Sequence, residues 1–142
     1  SMKPRVEDRI SLIMTDNPIC LEQSQVLKEA REIMSKYAVR HIPVKKGKNL
    51  VGIISKADMD RIKYMEAGAG EFVSADFFDV LTVGHVMTKS VNTIQHDDTI
   101  KEAAEILSLG SYHALPVMDG DDIVGIVTTT DLLLYLLKLY NV

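Results

Sequence analysis

Two copies of a hydroxyl residue, each followed three positions later by an aspartate, are the residues of this chain best placed for binding chemistry. Ser55 and Asp58 stand in the phrase GIISKAD, and Thr128 and Asp131 stand in GIVTTTD, 73 positions later. Each phrase opens with glycine and an apolar β-branched run, which predicts a buried strand that ends where a helix begins. A helix N-terminus offers free backbone N–H groups and partial positive charge, which suit a phosphate.

Two interpretations of these residues remain open. The hydroxyl can donate to a phosphate, and an aspartate one turn into the helix can accept hydrogen bonds from the two vicinal hydroxyls of a ribose. Alternatively, the hydroxyl is only the N-cap of the helix, and the aspartate occupies the first turn, where negative charge is favourable.

The chain contains an internal duplication. Residues 14–59 align with residues 87–132 without a gap, and 15 of the 46 pairs are identical. The identical pairs include Met14/Met87, Pro43/Pro116, Gly52/Gly125 and Asp58/Asp131. A gapless alignment with the same glycines and prolines indicates two copies of one unit.

Each copy predicts the order strand, helix, strand, strand, helix. PICLE and SVNTIQ are strand-like, an amphipathic helix follows, and HIPV…LVGII and ALPV…IVGIV predict hairpins around a glycine. We expect Asp97 or Asp98 to be the N-cap of the first helix in the second copy. The predicted fold class is therefore α+β, with two β-α-β-β-α units. Because one unit is too small to hide both faces of its sheet, we expect the units to pack sheet to sheet with pseudo-twofold symmetry.

The predicted domain bounds are 5–67 for the first unit, 68–85 for a linker and 86–140 for the second unit. The linker contains all three phenylalanines, Phe72, Phe77 and Phe78. We expect these rings to pack back on the core, and a contact for a partner is the alternative.

Six landmarks recur in the same order in both copies and carry a family resemblance. They include an MT dipeptide before the first strand, an apolar residue followed by Pro-Val at the start of the hairpin, and the glycine-to-aspartate segment at its end. This combination resembles a tandem pair of CBS domains, often called a Bateman module, over about residues 10–135. The resemblance implies a stand-alone regulatory or sensor module and not an enzyme.

The resemblance also implies what binds and where. Adenosine-type effectors (AMP, ADP, ATP, S-adenosylmethionine, NAD or a cyclic dinucleotide) would be held in clefts between the repeats, with no cofactor required. The implied ligand-binding residues are Ser55, Ala57, Asp58, Arg40, His41 and Cys20 for one cleft, and Thr128, Thr130, Asp131, His113, Ala114 and Thr93 for the other. Cys20 replaces the threonine typical of the family, which weakens hydrogen bonding there, so we expect unequal sites. Ligand occupancy would change the arrangement of the units and signal to a regulated protein that the sequence does not identify.

The two copies differ in charge. Residues 13–59 hold eight Lys or Arg and five Asp or Glu, giving +3, whereas residues 86–132 hold two and eight, giving −6. Three interpretations remain open: phosphates bound toward the first copy, attraction between opposite halves of two chains, or ordinary variation of a solvated surface.

The final helix, TTDLLLYLLKLYNV, is apolar nearly all round, and such a helix needs cover on every face. We therefore predict a homodimer to which Leu132, Leu133, Leu136, Leu137 and Tyr140 contribute. Packing against the chain's own N-terminal helix is the alternative. A structural or protein-interaction dimer without any ligand is the competing function.

Composition and motifs argue against several other functions. A net charge of −4 disfavours nucleic-acid binding. The four histidines lack metal-ligand spacing, and Cys20 has no evident base partner, so we expect no metal site and an inert thiol. The longest apolar run contains a lysine and is shorter than the roughly 20 residues of a membrane span. The charged first residues predict no signal peptide, and hence a cytoplasmic protein.

Overall fold

The structure, a computed structural model, describes residues 7–70 and 76–140 of the 142-residue chain. A 3₁₀ turn at Ile10–Leu12 precedes the strands and helices, which in chain order are β1 (Thr15–Asp16), β2 (Leu21–Glu22), α1 (Leu27–Tyr37), β3 (His41–Lys46), β4 (Asn49–Ser55), α2 (Lys56–Ala69), α3 (Phe77–Val80), α4 (Val83–Val86), β5 (Ile94–Gln95), α5 (Ile100–Ser108), β6 (Ala114–Asp119), β7 (Asp122–Thr128) and α6 (Thr129–Leu139). The chain forms two compact units. We call residues 19–91 the first unit, and residues up to 18 together with those from 92 onward the second unit.

The predicted order of elements is confirmed in both units. In the first, β2, β3 and β4 form a three-stranded sheet, and in the second, β1, β7, β6 and β5 lie in that order in a four-stranded sheet. β2 and β3 are parallel and are connected through α1, as β5 and β6 are through α5. The following strand pairs antiparallel in each case. The mixed α+β class predicted from the sequence is therefore also confirmed.

The two hairpins have the same register down to their irregularities. Val44 faces Gly52 and Val117 faces Gly125, and each ladder shifts by one residue directly afterwards. Each hairpin closes through a two-residue turn that begins with a glycine at positive φ, 62° at Gly47 and 61° at Gly120. Glycine adopts this backbone conformation without steric cost. The shared register brings the ends of β4 and β7 to equivalent places.

Each unit has its own hydrophobic core. In the first unit, the inner face of the amphipathic helix α1 buries Leu27, Ala30 and Met34, while Tyr37 at the end of α1 is half exposed. Phe78 is fully buried in the same core, Phe77 packs against it, and the Arg31 guanidinium lies 4.3 Å from the Phe78 ring centre. The expectation that the linker aromatics pack on the core is confirmed for these two, and Phe72 lies outside the described residues.

The predicted N-cap of α5 was wrong. Thr99, and neither Asp97 nor Asp98, caps this helix: its hydroxyl accepts from the Glu102 N–H at 3.1 Å, and the Glu102 carboxylate accepts from the Thr99 N–H at 3.2 Å. This reciprocal pair satisfies two otherwise unpaired donors, which neither aspartate alone would do. The Asp98 carboxylate instead accepts from the Gln95 N–H at 2.9 Å.

The MT dipeptide in front of each repeat packs on the hairpin of the other repeat. Thr15 in β1 pairs with Ile126 in β7. Thr88 pairs with Ile53 in β4 through reciprocal backbone hydrogen bonds of 2.9 and 3.0 Å. The compact units accordingly divide the chain after residues 18 and 91, whereas the predicted bounds 5–67, 68–85 and 86–140 describe the repeats in sequence order.

Close backbone approach explains the glycine that opens each phrase. A Cβ atom on Gly52 would lie 2.5 Å from the Met87 sulfur and 2.7 Å from the Thr88 carbonyl oxygen. A Cβ on Gly125 would lie 2.5 Å from the Met14 sulfur and 3.1 Å from the Thr15 carbonyl oxygen. Only glycine leaves room for the MT segment to lie on the strand.

We predict that Gly52→Ala destabilises the protein by about 1–3 kcal/mol, because the new methyl group overlaps a backbone carbonyl that has little freedom to move. Gly125→Ala should cost less, since the carbonyl oxygen nearest its new Cβ is 3.1 Å away, compared with 2.7 Å at Gly52, and the methionine side chain that is closer in both cases is flexible. Denaturant unfolding monitored by circular dichroism measures both. Gly68→Ala in α2 is the control, because a Cβ there meets nothing within 4 Å. Equal stabilities of Gly52→Ala and Gly68→Ala would contradict the packing argument.

Candidate functional site

Each predicted site begins at a junction where the second hairpin strand runs directly into a helix. Ser55 ends β4 and caps α2, and Thr128 ends β7 and caps α6. Each hydroxyl accepts from the N–H of the aspartate three residues on, at 3.2 Å for Ser55 and 3.1 Å for Thr128. In return, Oδ2 of Asp58 or Asp131 accepts from the backbone N–H of the cap residue at 2.8 Å. The capping role considered from the sequence is thus present in both copies.

The remaining hydrogen-bonding capacity differs between the two aspartates. Asp58 is only 6% exposed, its Oδ1 accepts from Nη2 of Arg61 at 2.9 Å, and its Oδ2 also accepts from the Ser55 hydroxyl at 3.0 Å. Asp131 is half-buried, and its Oδ1 accepts no hydrogen bond from the residues that the structure describes. One carboxylate is therefore fully engaged, whereas the other keeps an oxygen for a further donor.

The residues at the start of the first hairpin strand lie beside the same junctions. The Arg40 carbonyl accepts from the Lys56 N–H at 2.8 Å, and the His113 carbonyl accepts from the Thr129 N–H at 3.0 Å. His41 faces Ser55 across the ladder, and Ala114 faces Thr128. The side chains of Arg40 and His113 are exposed, His41 is half-buried and Ala114 is buried.

Other predicted residues occupy the first helical turn. Ala57 and Thr130 are exposed in the first turns of α2 and α6, each directly before the aspartate. Lys56, the cation nearest in sequence to Asp58, has its ammonium 3.2 Å from a carboxylate oxygen of Asp60. The Lys56 ammonium is thus paired with Asp60 on the solvent-exposed side of α2.

Cys20 and Thr93 directly precede β2 and β5, the first strand of each repeat. Thr93 is exposed and borders a depression of about 510 Å³. The other residues that line this depression are Ile94, Asp98, Glu102, Glu105, Ile106 and Leu109. Neither Thr128 nor Asp131 is among its described lining residues, so Thr93 borders a concavity formed with β5 and α5.

Burial of the Cys20 side chain raises the pKa of its thiol, and the positive charge of Lys45 only partly offsets this increase. The thiol, unlike the thiolate, is a poor nucleophile. The raised pKa favours the inert thiol expected from the sequence, although the side chain is half-buried and not fully buried as a strand residue of the core would be.

We predict that alkylation of Cys20 by iodoacetamide has its pH midpoint above that of the same chain unfolded in guanidinium chloride. The reason is that burial disfavours the thiolate. Mass spectrometry of quenched time points measures the rate across pH 7–10. Lys45→Ala should move the midpoint further upward, because it removes a positive charge that lowers the pKa of the thiol. A midpoint at or below that of the unfolded chain would show that Cys20 is activated.

Neither metal-binding clusters nor membrane spans were found among residues 7–70 and 76–140. This part of the chain contains no group of three or more His, Cys, Asp or Glu side chains that could hold a metal ion. Its helices are all too short or too polar to cross a membrane.

The last helix has one covered face and one uncovered face. Leu132 and Tyr135 of α6 pack against the core of the second unit, and the Tyr135 hydroxyl donates to Oδ2 of Asp8 at 2.9 Å. Burial and this carboxylate raise the pKa of Tyr135. The uncovered face carries large side chains that are 47–74% exposed, Leu133, Leu134, Leu136, Leu137 and Tyr140. Asp8, in the described part of the N-terminal segment, thus contacts the inner face, and Leu132, expected at a dimer contact, packs within its own unit.

Comparison of the sequence with known families matches both repeats to one of them. A sequence model of the CBS domain matches residues 6–63 and 83–138. A homoserine O-acetyltransferase from Methanocorpusculum labreanum is 32% identical over 122 residues, which are 84% of this chain and 22% of that protein. The chain thus spans 22% of the length of this curated relative.

Solved structures share the fold. The CBS domain pair of protein MJ0100, in complex with 5′-methylthioadenosine and S-adenosyl-L-methionine, matches with a TM-score of 0.75 and 25% identity over 90% of this chain and 98% of that one. CBSX2 in complex with AMP matches with a TM-score of 0.75 and 22% identity over 94% of this chain and 99% of that one. Adenosine-containing ligands are therefore bound by solved proteins of this fold.

Proposed function

The chain belongs to the CBS domain family, and on that premise we propose that it is a regulatory module whose effector is an adenosine-containing ligand. The proposed binding positions are the helix starts at Ser55 with Asp58 and at Thr128 with Asp131. One observation carries the proposal: Asp131 caps its helix through Oδ2, and its Oδ1 accepts no hydrogen bond from residues 7–70 and 76–140, so that it can accept one from a ligand. We propose a cytoplasmic, non-catalytic protein.

The chemistry of the Thr128 junction fits the parts of such a ligand. An aspartate in the first turn can accept from the vicinal hydroxyls of a ribose, and hydrogen bonds to a charged acceptor contribute about 1.5–3 kcal/mol each. In the first turn of α6, the Thr129 and Asp131 N–H groups already donate to the His113 carbonyl and the Thr128 hydroxyl. Within the described residues, the N–H and the exposed hydroxyl of Thr130 donate to no acceptor, and they suit the phosphate of a nucleotide at the positive end of the helix. The exposed imidazole of His113 supplies a further polar group beside the same junction.

Regulation requires that the ligand bind one arrangement of the protein better than another, since equal binding would shift nothing. We propose that occupancy of these helix starts changes the arrangement or the order of the two units. A regulated protein or domain would respond to that change. Signalling of this kind needs no nucleophile or base in the module itself.

We predict that at least one of AMP, ADP, ATP, NAD, S-adenosylmethionine and cyclic di-AMP raises the melting temperature of the purified protein. A ligand at about 100 times its Kd adds about 2.7 kcal/mol of stability. Asp131→Asn should weaken binding of that ligand by about 10- to 100-fold in titration calorimetry, because it removes the charged acceptor. Asp121→Asn, the same change of charge in an exposed turn of the same unit, is the control. If none of the six compounds shifts the transition, a ligand-free interaction dimer becomes the better hypothesis.

We also propose that a second copy of the chain covers the outer face of α6. A contiguous apolar face is unfavourable in water, and a twofold axis lets one such face bury itself against its counterpart. On that face, the proposed contact residues are Leu133, Leu136, Leu137 and Tyr140, all of which are at least 47% exposed in the single chain.

Light scattering after size exclusion tests this dimer. Leu137→Glu should convert dimer to monomer at micromolar concentration, because dimerisation would bury an unpaired carboxylate. Leu109→Glu is the matched control, since Leu109 is 79% exposed at the end of α5, outside the α6 face. A wild-type protein that is monomeric at tens of micromolar would rule out this interface.

A further inference from the structure

We infer that Arg61 closes the first of the two sites, so that an adenosyl ligand binds each chain once, at Thr128 and Asp131. This inference rests on the proposed function and adds to it a residue that determines which repeat is occupied. The observations that carry it are the hydrogen bonds of the two aspartates and the residue one turn further along each helix.

The first observation is the ion pair on Asp58. Nη2 of Arg61 donates to Oδ1 at 2.9 Å, while the backbone N–H and the hydroxyl of Ser55 both donate to Oδ2. The Asp58 side chain is 9% exposed, so its surroundings offer little space for another donor. A ribose diol would have to displace a hydrogen bond in which both partners are charged by one in which only the carboxylate is charged, which is the weaker interaction.

The second observation concerns the hydroxyl groups. The Ser55 hydroxyl accepts a hydrogen bond from the Asp58 N–H and donates one to the Asp58 carboxylate. Its proton is therefore already engaged within the helix start. The Thr128 hydroxyl accepts from the Asp131 N–H at 3.1 Å. Within the described part of the chain it donates to no acceptor, and its proton is available to a ligand. The first junction is thus self-satisfied, and the second is not.

The third observation comes from the repeat itself. Leu134 stands 73 positions after Arg61, at the equivalent place one turn beyond Asp131. It is 53% exposed and offers no hydrogen-bond donor to the carboxylate. The same helix start therefore carries a competing cation in one copy and an aliphatic side chain in the other, which provides a reciprocal pair of substitutions.

The net charges of the two copies predict that a phosphate-bearing ligand prefers the first site, which is the opposite of what the closure by Arg61 predicts. The first copy has a net charge of +3 and the second −6, so long-range attraction alone would favour an anionic ligand at the first. Comparing AMP with uncharged 5′-methylthioadenosine separates this effect from the closure of the carboxylate. Occupancy of the second site alone, with both probes, is what closure by Arg61 requires.

Titration calorimetry with AMP and with 5′-methylthioadenosine, on the full chain, tests the inference. We expect the wild type to bind at one site per chain, and Arg61→Leu to bind at two. Leu134→Arg should weaken the wild-type site at least 10-fold. The double variant Arg61→Leu with Asp58→Asn should return to one site, which locates the gained site at Asp58. Lys63→Leu, which removes an exposed charge from the same helix, is the control and should remain at one site.

The outcomes separate the two proposals. Two equal sites in the wild type, or one site in Arg61→Leu, would overturn the closure by Arg61 and leave the proposed effector binding intact. If the wild type and all variants fail to bind both probes, the proposed function and this inference are overturned together. Circular dichroism melting of each variant shows whether a lost site reflects lost binding or a lost fold.

Discussion

A reciprocal set of hydrogen bonds between a cap hydroxyl and an aspartate fixes each junction between hairpin and helix. At Ser55 with Asp58 and at Thr128 with Asp131, this exchange satisfies backbone donors that a helix start otherwise leaves unpaired. It also orients the carboxylate, since one oxygen is tied to the backbone of the cap. A carboxylate has a second oxygen, and the partner of that oxygen decides whether the junction is only a cap or also a binding position. The aspartate of each junction thus has two possible roles: one carboxylate oxygen caps the helix, and the other can bind a ligand.

The MT segment in front of each repeat completes the sheet of the other repeat. A strand at the edge of a sheet leaves a row of unpaired backbone groups. In each unit, the edge of the second hairpin strand is covered by the MT segment that precedes the other repeat, at Thr15 on β7 and at Thr88 on β4. Gly125 and Gly52 permit the required approach. Neither repeat completes its own unit, which gives a physical reason for the two copies to occur together in one chain.

The duplicated elements differ most on the helices that follow the junctions. Along α2, charged side chains pair within the helix, Lys56 with Asp60 and Arg61 with Asp58. The equivalent helix α6 is leucine-rich, and none of its residues is fully buried, although Leu132 and Tyr135 pack partly buried against the core. Paired charges are compatible with solvent, whereas an uncovered leucine face gains free energy from a partner. The two repeats therefore share one backbone plan but have helix surfaces suited to different neighbours.

The duplication, the order of strands and helices and the two junctions could all be predicted from the amino-acid sequence. The duplication follows from the alignment of the two repeats, and the other features follow from periodicity, glycine turns and capping, which act within a few residues. Local rules were not sufficient everywhere. They predicted Asp97 or Asp98 as the N-cap of α5, whereas Thr99 is the N-cap through its reciprocal hydrogen bonds with Glu102. Which MT segment completes which sheet and the inward packing of Leu132 became visible in the folded chain. The contact of Arg61 with the Asp58 carboxylate, three residues away in the same helix, depends on the rotamer that the arginine adopts. Those outcomes depend on contacts between segments distant in sequence and on the rotamers of long side chains, which spacing along a chain does not determine.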